Sequence, residues 1–540
     1  MLDLPELHGK VLQHLGRHDL TRCAQVNKQW HALAILHIWR DISCVCSGDE
    51  RRVAFRRIVL DDYLQESGHE EGSPQPSALS KYGHLIRVLP SPMNLESVLR
   101  SQACTQQANE PTEYDLLFQL FKRSFQAQVH YFRYDFKDLE SDNMKSVLAF
   151  TLPRVRRLVI RTSLQGTQSE FFKFKSLLDQ CSTTLQKLDL DINFLGAREA
   201  VDMIDEATED KSICWTSLKD MTLQHIPDTW DAGPLWSWMW KRCGQVERLH
   251  VRKIDKSTPS FVQAMLAYMP NLHEIDIGGE YSLFDFYTPP EDEVKDDVVA
   301  ALLSGTLHGW KSVSVASSAR FGRETMNALA RHYSTLEDLF VDGNYDMGSC
   351  DVVQVLRSCS HLHTLIYSNW SNGKTLVDGK AFVDLDPDTG LLKPWSCEGS
   401  LKVLEVKIAG IPRPDLEEKS ILLEAYPGQG REIQSQVYER LGRLANLETL
   451  RLGQASEPLY DCLEMSLESG LDKLSGLESL KELGVERLET KIGIKEIQWM
   501  VVNWPRLSVI RGLDGQGRNV EAVRWIQENH PKIVVKKANY

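Results

Sequence analysis

His14 and His18 stand four residues apart, a spacing that sets two imidazoles on one face of a helix, within reach of one metal ion. No third ligand accompanies them, so no metal site is expected. His361 and His363 flank Leu362 and alternate with it on a strand, which makes them surface side chains. The stretch GQGREIQ (428–434) has the glycines of a phosphate loop, but no strand runs directly into it and no Gly-Lys-Ser/Thr follows. GLDGQGRN (512–519) is a glycine-rich turn after a strand, not a cofactor loop. The 11 cysteines are scattered from Cys23 to Cys462 without a C-x-x-C pair, the nearest two being Cys44 and Cys46. They fit neither a disulfide framework nor a zinc module, and are expected to be reduced thiols used as small apolar residues. No nucleophile elbow, zincin helix, kinase set or active-cysteine motif is present. The expectation is a non-enzymatic chain with no cofactor and no catalytic residue.

The bulk numbers point the same way. The chain has 540 residues, of which 42% are hydrophobic, 25% charged and 8% aromatic, with a net charge of −13 and a pI near 5.7. An acidic chain is a poor ligand for polyanions, so no nucleic acid is expected as a partner. The opening MLDLPELHGK has no apolar core, and no apolar run approaches a membrane span. A cytoplasmic or nuclear protein is therefore expected, with no membrane partner.

Other charged and aromatic clusters have local explanations. Arg51, Arg52, Arg56 and Arg57, followed by Asp61 and Asp62, suit a solvated helix face with internal ion pairs. RVRRLVIR (154–161) suits local pairing at the start of a strand. Trp236 and Trp240 share a helical face that can fill a core or stand exposed as a hot spot, and core filling is expected. The acidic loop YTPPEDEVKDD (287–297) could meet a basic partner, though a solvated loop is expected.

The elements that would carry function begin with Leu4 to Ile42. Pro5 opens a helix without losing a donor, and Leu7, Val11, Leu12 and Leu15 line one face. Gly16 can end it, and Asp19 can N-cap a second helix carrying Leu20, Cys23 and Val26. A third apolar set runs through Trp30, Leu33, Leu36, Ile38 and Trp39. Three such helices make a marginal core, so part of this apolar surface is expected to be buried by another protein.

From about residue 155 a unit apolar-x-x-apolar-x-apolar recurs. Its starts are Val155, Leu185, Leu218, Val246, Leu272, Trp310, Leu336, Leu362, Leu401, Leu447, Leu480 and Leu507, the last imperfect because its final position is Gly512. The pattern alone is common by chance, so its flanks matter. Ten of the twelve starts have an apolar residue three positions earlier, and the other two have Cys181 and Cys397 four earlier. A helical stretch precedes most of them, giving helix, short turn, strand. The residue between the last two apolar positions points away from the core. In order these are Val159, Asp189, Thr222, His250, Asp276, Ser314, Phe340, Ile366, Glu405, Arg451, Gly484 and Arg511. The mixture is neither basic nor acidic and suits protein recognition. Before the array, strands are expected to open in YGHLIRVLP (82–90) and VHYFRYDF (129–136), with a helix over 116–125.

The first stretch resembles an F-box. The resemblance rests on Leu4-Pro5-Glu6, Val11-Leu12, Leu15, Asp19-Leu20, Val26-Asn27-Lys28-Gln29-Trp30 and Leu36-His37-Ile38-Trp39. Asn27 replaces the usual cysteine of the fourth element. The resemblance implies docking on the Skp-family adaptor of a cullin-type ubiquitin ligase. By position, Leu4, Pro5, Val11, Leu12, Leu15, Leu20, Val26 and Trp30 match residues that pack the adaptor or hold that surface. The later units resemble leucine-rich repeats, although only Asn193 and Asn344 fall where many such repeats carry asparagine, and several units are long. The stretch 410–441 is similar to the long insertion of some fungal F-box proteins with leucine-rich repeats.

The expected fold is thus α/β: an N-terminal three-helix F-box (1–45), a linker helix and irregular N-terminal repeats (46–150), then an irregular leucine-rich-repeat solenoid (151–540). Parallel strands would line its concave face and helices its convex face, with insertions near 280–300, 372–400 and 410–441. The resemblance implies an SCF-type substrate receptor that holds an unknown protein target. The same residues also suit a non-catalytic repeat scaffold with no role in ubiquitination.

Overall fold

The computed structural model describes residues 12, 15, 17–26, 28–40, 42, 49–66, 76–89, 113–124, 128–129, 132–134, 152–164, 168–194, 214–224, 238–252, 262, 266–278, 294–306, 308–316, 319–342, 346–368, 376–413, 416, 429–453, 461–488, 490–513 and 519–537. The chain divides into two units. One comprises residues 1–225 and 232–246, the other 226–231 and 247–540.

The first unit opens with helices Arg17–Val26, Lys28–Arg40 and Asp49–Glu66, joined later by Glu113–Arg123. Its four main strands run from Phe132–Tyr134 to Asp220–Leu223, each parallel to the next in the chain. The strand expected from residue 82 is shorter than predicted. Residues 78–82 form a helix because Ser77 accepts a hydrogen bond from the Ser80 N–H at 2.9 Å and caps it. The strand is Val88–Leu89, which pairs with Gln128–Val129.

In the charged helix Asp49–Glu66, Arg57 is exposed as expected, but Asp62 departs from the expectation of a solvated face. Asp62 is 1% exposed and accepts hydrogen bonds from Ser77 Oγ, from Gln119 Nε2 at 2.6 Å and from Arg123 Nε at 2.9 Å. Among the described residues its cationic partner is Arg123, from the helix Glu113–Arg123. Trp238 and Trp240 are buried, and Trp238 meets Trp215 edge-on at 6.0 Å with Arg242 stacked 4.5 Å from its ring. Trp236 lies outside the described residues.

The second unit holds a large parallel sheet, ten strands from Arg248–Val251 to Val534–Lys536 among the described residues, again in chain order. Every repeat motif is followed by a strand that begins two residues after its first apolar position. A turn sets that offset. The N–H of Leu272 donates to Met269 O at 3.1 Å, Leu447 to Leu444 O at 3.0 Å, and Leu507 to Trp504 O at 3.0 Å. The apolar flank three residues upstream is therefore the other end of a closed turn. Past the turn, burial alternates as in Asp338–Asp342, where Leu339 and Val341 face the core and Asp338, Phe340 and Asp342 the open side.

Hydroxyls just before the motif stitch neighbouring repeats. Thr335 Oγ1 lies 2.9 Å from Trp310 O, and Ser400 Oγ donates to Leu362 O at 2.8 Å. Across the stretch expected to carry insertions, Val377–Asp378 and Ile408–Ala409 leave the main sheet and pair with each other. The helix Gly430–Gly442 is locked to this segment by Arg440. That residue is fully buried, donates to Val383 O at 2.8 Å and to Glu398 at 3.2 Å, and sits 4.5 Å from the Trp395 ring. The same helix takes in residues 430–434, the end of GQGREIQ.

Candidate protein-interaction sites

At the N-terminus the helices Arg17–Val26 and Lys28–Arg40 pack against each other, with Leu12, Leu20, Ala34 and Ile42 buried. Asp19 lies in the first turn of its helix rather than capping it, where its charge still favours the helix's positive end. The second helix is held at its far end. Trp39 lies 5.6 Å from the Tyr82 ring, and the Arg87 N–H donates to Arg40 O at 2.8 Å. These contacts orient the helix but leave large apolar side chains uncovered. Val26 is 66% exposed and Leu36 46%, while Trp30 and Leu15 are half-buried. Covering each exposed side chain would contribute about 1–2 kcal/mol.

The eight positions singled out from the sequence thus divide by role. Leu12 and Leu20 are core residues and can only hold a docking surface. Val26 is on the surface. Leu4, Pro5 and Val11 lie outside the described residues, as do His14 and the side chain of His18. Leu36 belonged to the F-box resemblance but not to the docking set. Its exposure follows from Ala34, two positions earlier on the helix, facing the core.

Residues 2–45 match the F-box-like family model. The N-terminus of the chain is therefore an F-box-like domain. No curated protein matches the chain. A chain of the yeast Rad7–Elc1 complex is similar in structure over 86% of this chain and 88% of that one, at 13% identity and a TM-score of 0.35. An internalin, inlF, from Listeria monocytogenes is similar over 84% and 88%, at 9% identity and a TM-score of 0.30. The architecture rests on the parallel sheet itself.

The second candidate surface is the open face of that sheet. Register brings the outward residues of successive strands into one row: His250, Asp276, Ser314, Phe340, Ile366, Glu405, Arg451, Gly484 and Arg511. Much of the charge in this row is neutralised internally. His250 Nδ1 lies 3.2 Å and Arg252 Nη1 3.4 Å from Asp276 Oδ2. Burial pushes the Asp276 carboxyl up, but hydrogen bonds from His250 and Ser314 and the charge of Arg252 outweigh it and hold it below the ordinary range. At the other end Arg451 bridges Glu405 at 3.1 Å and Glu482 at 2.6 Å, and Arg511 Nε reaches the same Glu482 oxygen at 2.6 Å.

The expectation that the whole row stands open needs correction. Glu405 and Gly484 are buried, and in the first unit Val159, Asp189 and Thr222 are buried too. Neighbouring side chains reach two of them: Arg451 lies on Glu405, and Gln224 Nε2 donates to Asp189 at 2.8 Å. His361 is exposed and His363 half-buried, as their alternation about Leu362 predicts. Among the described residues no group of three or more His, Cys, Asp or Glu side chains is arranged to hold a metal ion. No described helix is long and apolar enough to cross a membrane.

Proposed function

We propose that this chain is a substrate-recognition subunit of an SCF-type ubiquitin ligase. The F-box-like domain docks on a Skp-family adaptor and through it a cullin. The repeats form a solenoid whose concave, strand-lined face holds a protein target. The observation that carries this reading is the F-box-like match over residues 2–45, supported by the uncovered Val26 and Leu36. The chain itself performs no chemistry in this scheme. Its contribution is proximity, because tethering a target raises its effective concentration at the transferring enzyme.

The test is to replace the parent chain in cells with a Val26→Glu variant and follow the proteins captured by the repeats. The expected result is that adaptor and cullin drop out of the captured complex while at least one retained partner accumulates and loses its ubiquitin conjugates. Retained partners of unchanged abundance would instead favour a repeat scaffold without a ubiquitination role.

A further inference from the structure

Among the described residues, Val534–Lys536 is the last strand of the parallel sheet and pairs only with Val509–Arg511. The Val534 N–H donates to Ser508 O at 2.8 Å, and Lys536 O accepts from the Gly512 N–H at 3.0 Å. Bonded residues alternate along such a ladder, so the N–H and C=O of Val535, between them, point to the open edge. The same end leaves part of the repeat core uncovered. Register sets Val535 beside the fully buried Ile510, yet Val535 is only half-buried, because no further described repeat packs on it. With Leu513, and with Val520 and Val523 of the helix Val520–Asn529, it lines an open groove of about 320 Å³. The charged side chains of that lining are Arg524 and Lys537, both exposed and neither ion-paired among the described residues. Glu521 and Glu528 share the helix with Arg524 but do not line the groove. Lys536, next along the strand, is exposed too.

An unpaired strand edge invites another strand, and lysines at an edge disfavour pairing with a copy of the same chain. Here Arg524, Lys536 and Lys537 would meet their own copies across such a contact, whereas carboxylates would be attracted. Strand addition draws its affinity from main-chain hydrogen bonds and its selectivity from side-chain pockets. We infer that the open edge of Val534–Lys536 takes an extended acidic segment of another protein as an added strand. Its backbone would pair with Val535. An apolar side chain of the segment would fill the groove between Val535, Val520 and Val523, and a neighbouring aspartate or glutamate would meet Arg524 and Lys537. This surface goes beyond the receptor reading above and does not depend on it.

The test uses a random peptide library displayed on phage, depleted on the full-length Val535→Pro variant and then panned on the full parent chain. Proline there removes the outward N–H and keeps the bonds of Val534 and Lys536 to the neighbouring strand. Should Val535→Pro lose its fold, Arg524→Glu, which alters an exposed helix residue, takes its place in the depletion step. The expected result is enrichment of peptides carrying aspartate or glutamate around an aliphatic or aromatic residue, which bind Arg524→Glu and Lys537→Glu about tenfold or more weakly than the parent. Recovery of no peptide, of basic or uncharged peptides, or of acidic ones that bind the folded variants as tightly as the parent would overturn the inference. So would a parent chain that dimerises and is made monomeric by Val535→Pro, because a second copy would then occupy the edge. Adaptor is absent throughout, so failure here leaves docking through residues 2–45 standing, and failure of adaptor docking leaves this site standing.

Discussion

Arg123 donates its Nε–H to the carboxylate of Asp62 at 2.9 Å, joining two helices that lie far apart in sequence. Asp62 also accepts from Ser77 and Gln119, so one buried carboxylate satisfies three donors from two other segments of the unit that carries the F-box-like domain. Removing it takes that acceptor from the buried Ser77 and Gln119 side chains and from the Arg123 guanidinium. Asp62→Ala is expected to cost about 3 kcal/mol. Hydrogen exchange of the amides in Glu113–Arg123 measures this directly, and protection equal to the parent's would show that the network is not structural.

The hydroxyls that precede the repeat motifs predict smaller, additive losses. Thr335→Val removes the group beside Trp310 O, and Ser400→Ala removes the donor to Leu362 O. Each is expected to cost about 1 kcal/mol, and the double variant the sum, because the two sites share no partner. Urea midpoints of the four proteins check this. A double variant no weaker than either single one would mean that the hydroxyls do not stitch the repeats.

Burial pushes the Lys407 ammonium down to about 8 from its ordinary 10.5, against the upward pull of Asp342 and Glu405. Below pH 8 the folded and unfolded states both hold the proton, and the cost of burying it is present in full. Between pH 8 and 10.5 the folded state has released the proton while the unfolded state keeps it, so stability rises with pH. The parent is therefore expected to gain on a Lys407→Met variant across that window, at up to about 1.4 kcal/mol per pH unit. Denaturation of both proteins at pH 7 and pH 10 reads the difference, and a constant gap would contradict it.

The repeats were readable in the sequence because their signal is local. The flank at Trp504 and the motif start at Leu507 are two ends of one hydrogen-bonded turn, so their spacing carries the structure. Even the imperfect last motif has a reason. Gly512 sits at φ +89°, and a Cβ there would lie 2.4 Å from the Glu486 backbone nitrogen, so no apolar side chain fits. The open face was less readable. Alternation placed Phe340 and Glu405 on the same side, but only the neighbouring strand shows that Arg451 covers Glu405. Asp62 followed the same rule: its partner Arg123 is too distant in sequence to be guessed from the helix that carries it. In the F-box-like domain the apolar pattern was plain, yet it could not separate Leu12, which is core, from Val26, which is surface.

That last distinction gives the most direct test of the account. The affinity of the purified full chain for a Skp-family adaptor should be measured for the parent, for Val26→Glu, and for Val502→Glu, which alters a side chain 78% exposed in the repeats. The account predicts that the parent and Val502→Glu bind alike and that a folded Val26→Glu binds about tenfold or more weakly. An adaptor held as tightly by Val26→Glu as by the parent, or not held by the parent at all, would contradict it.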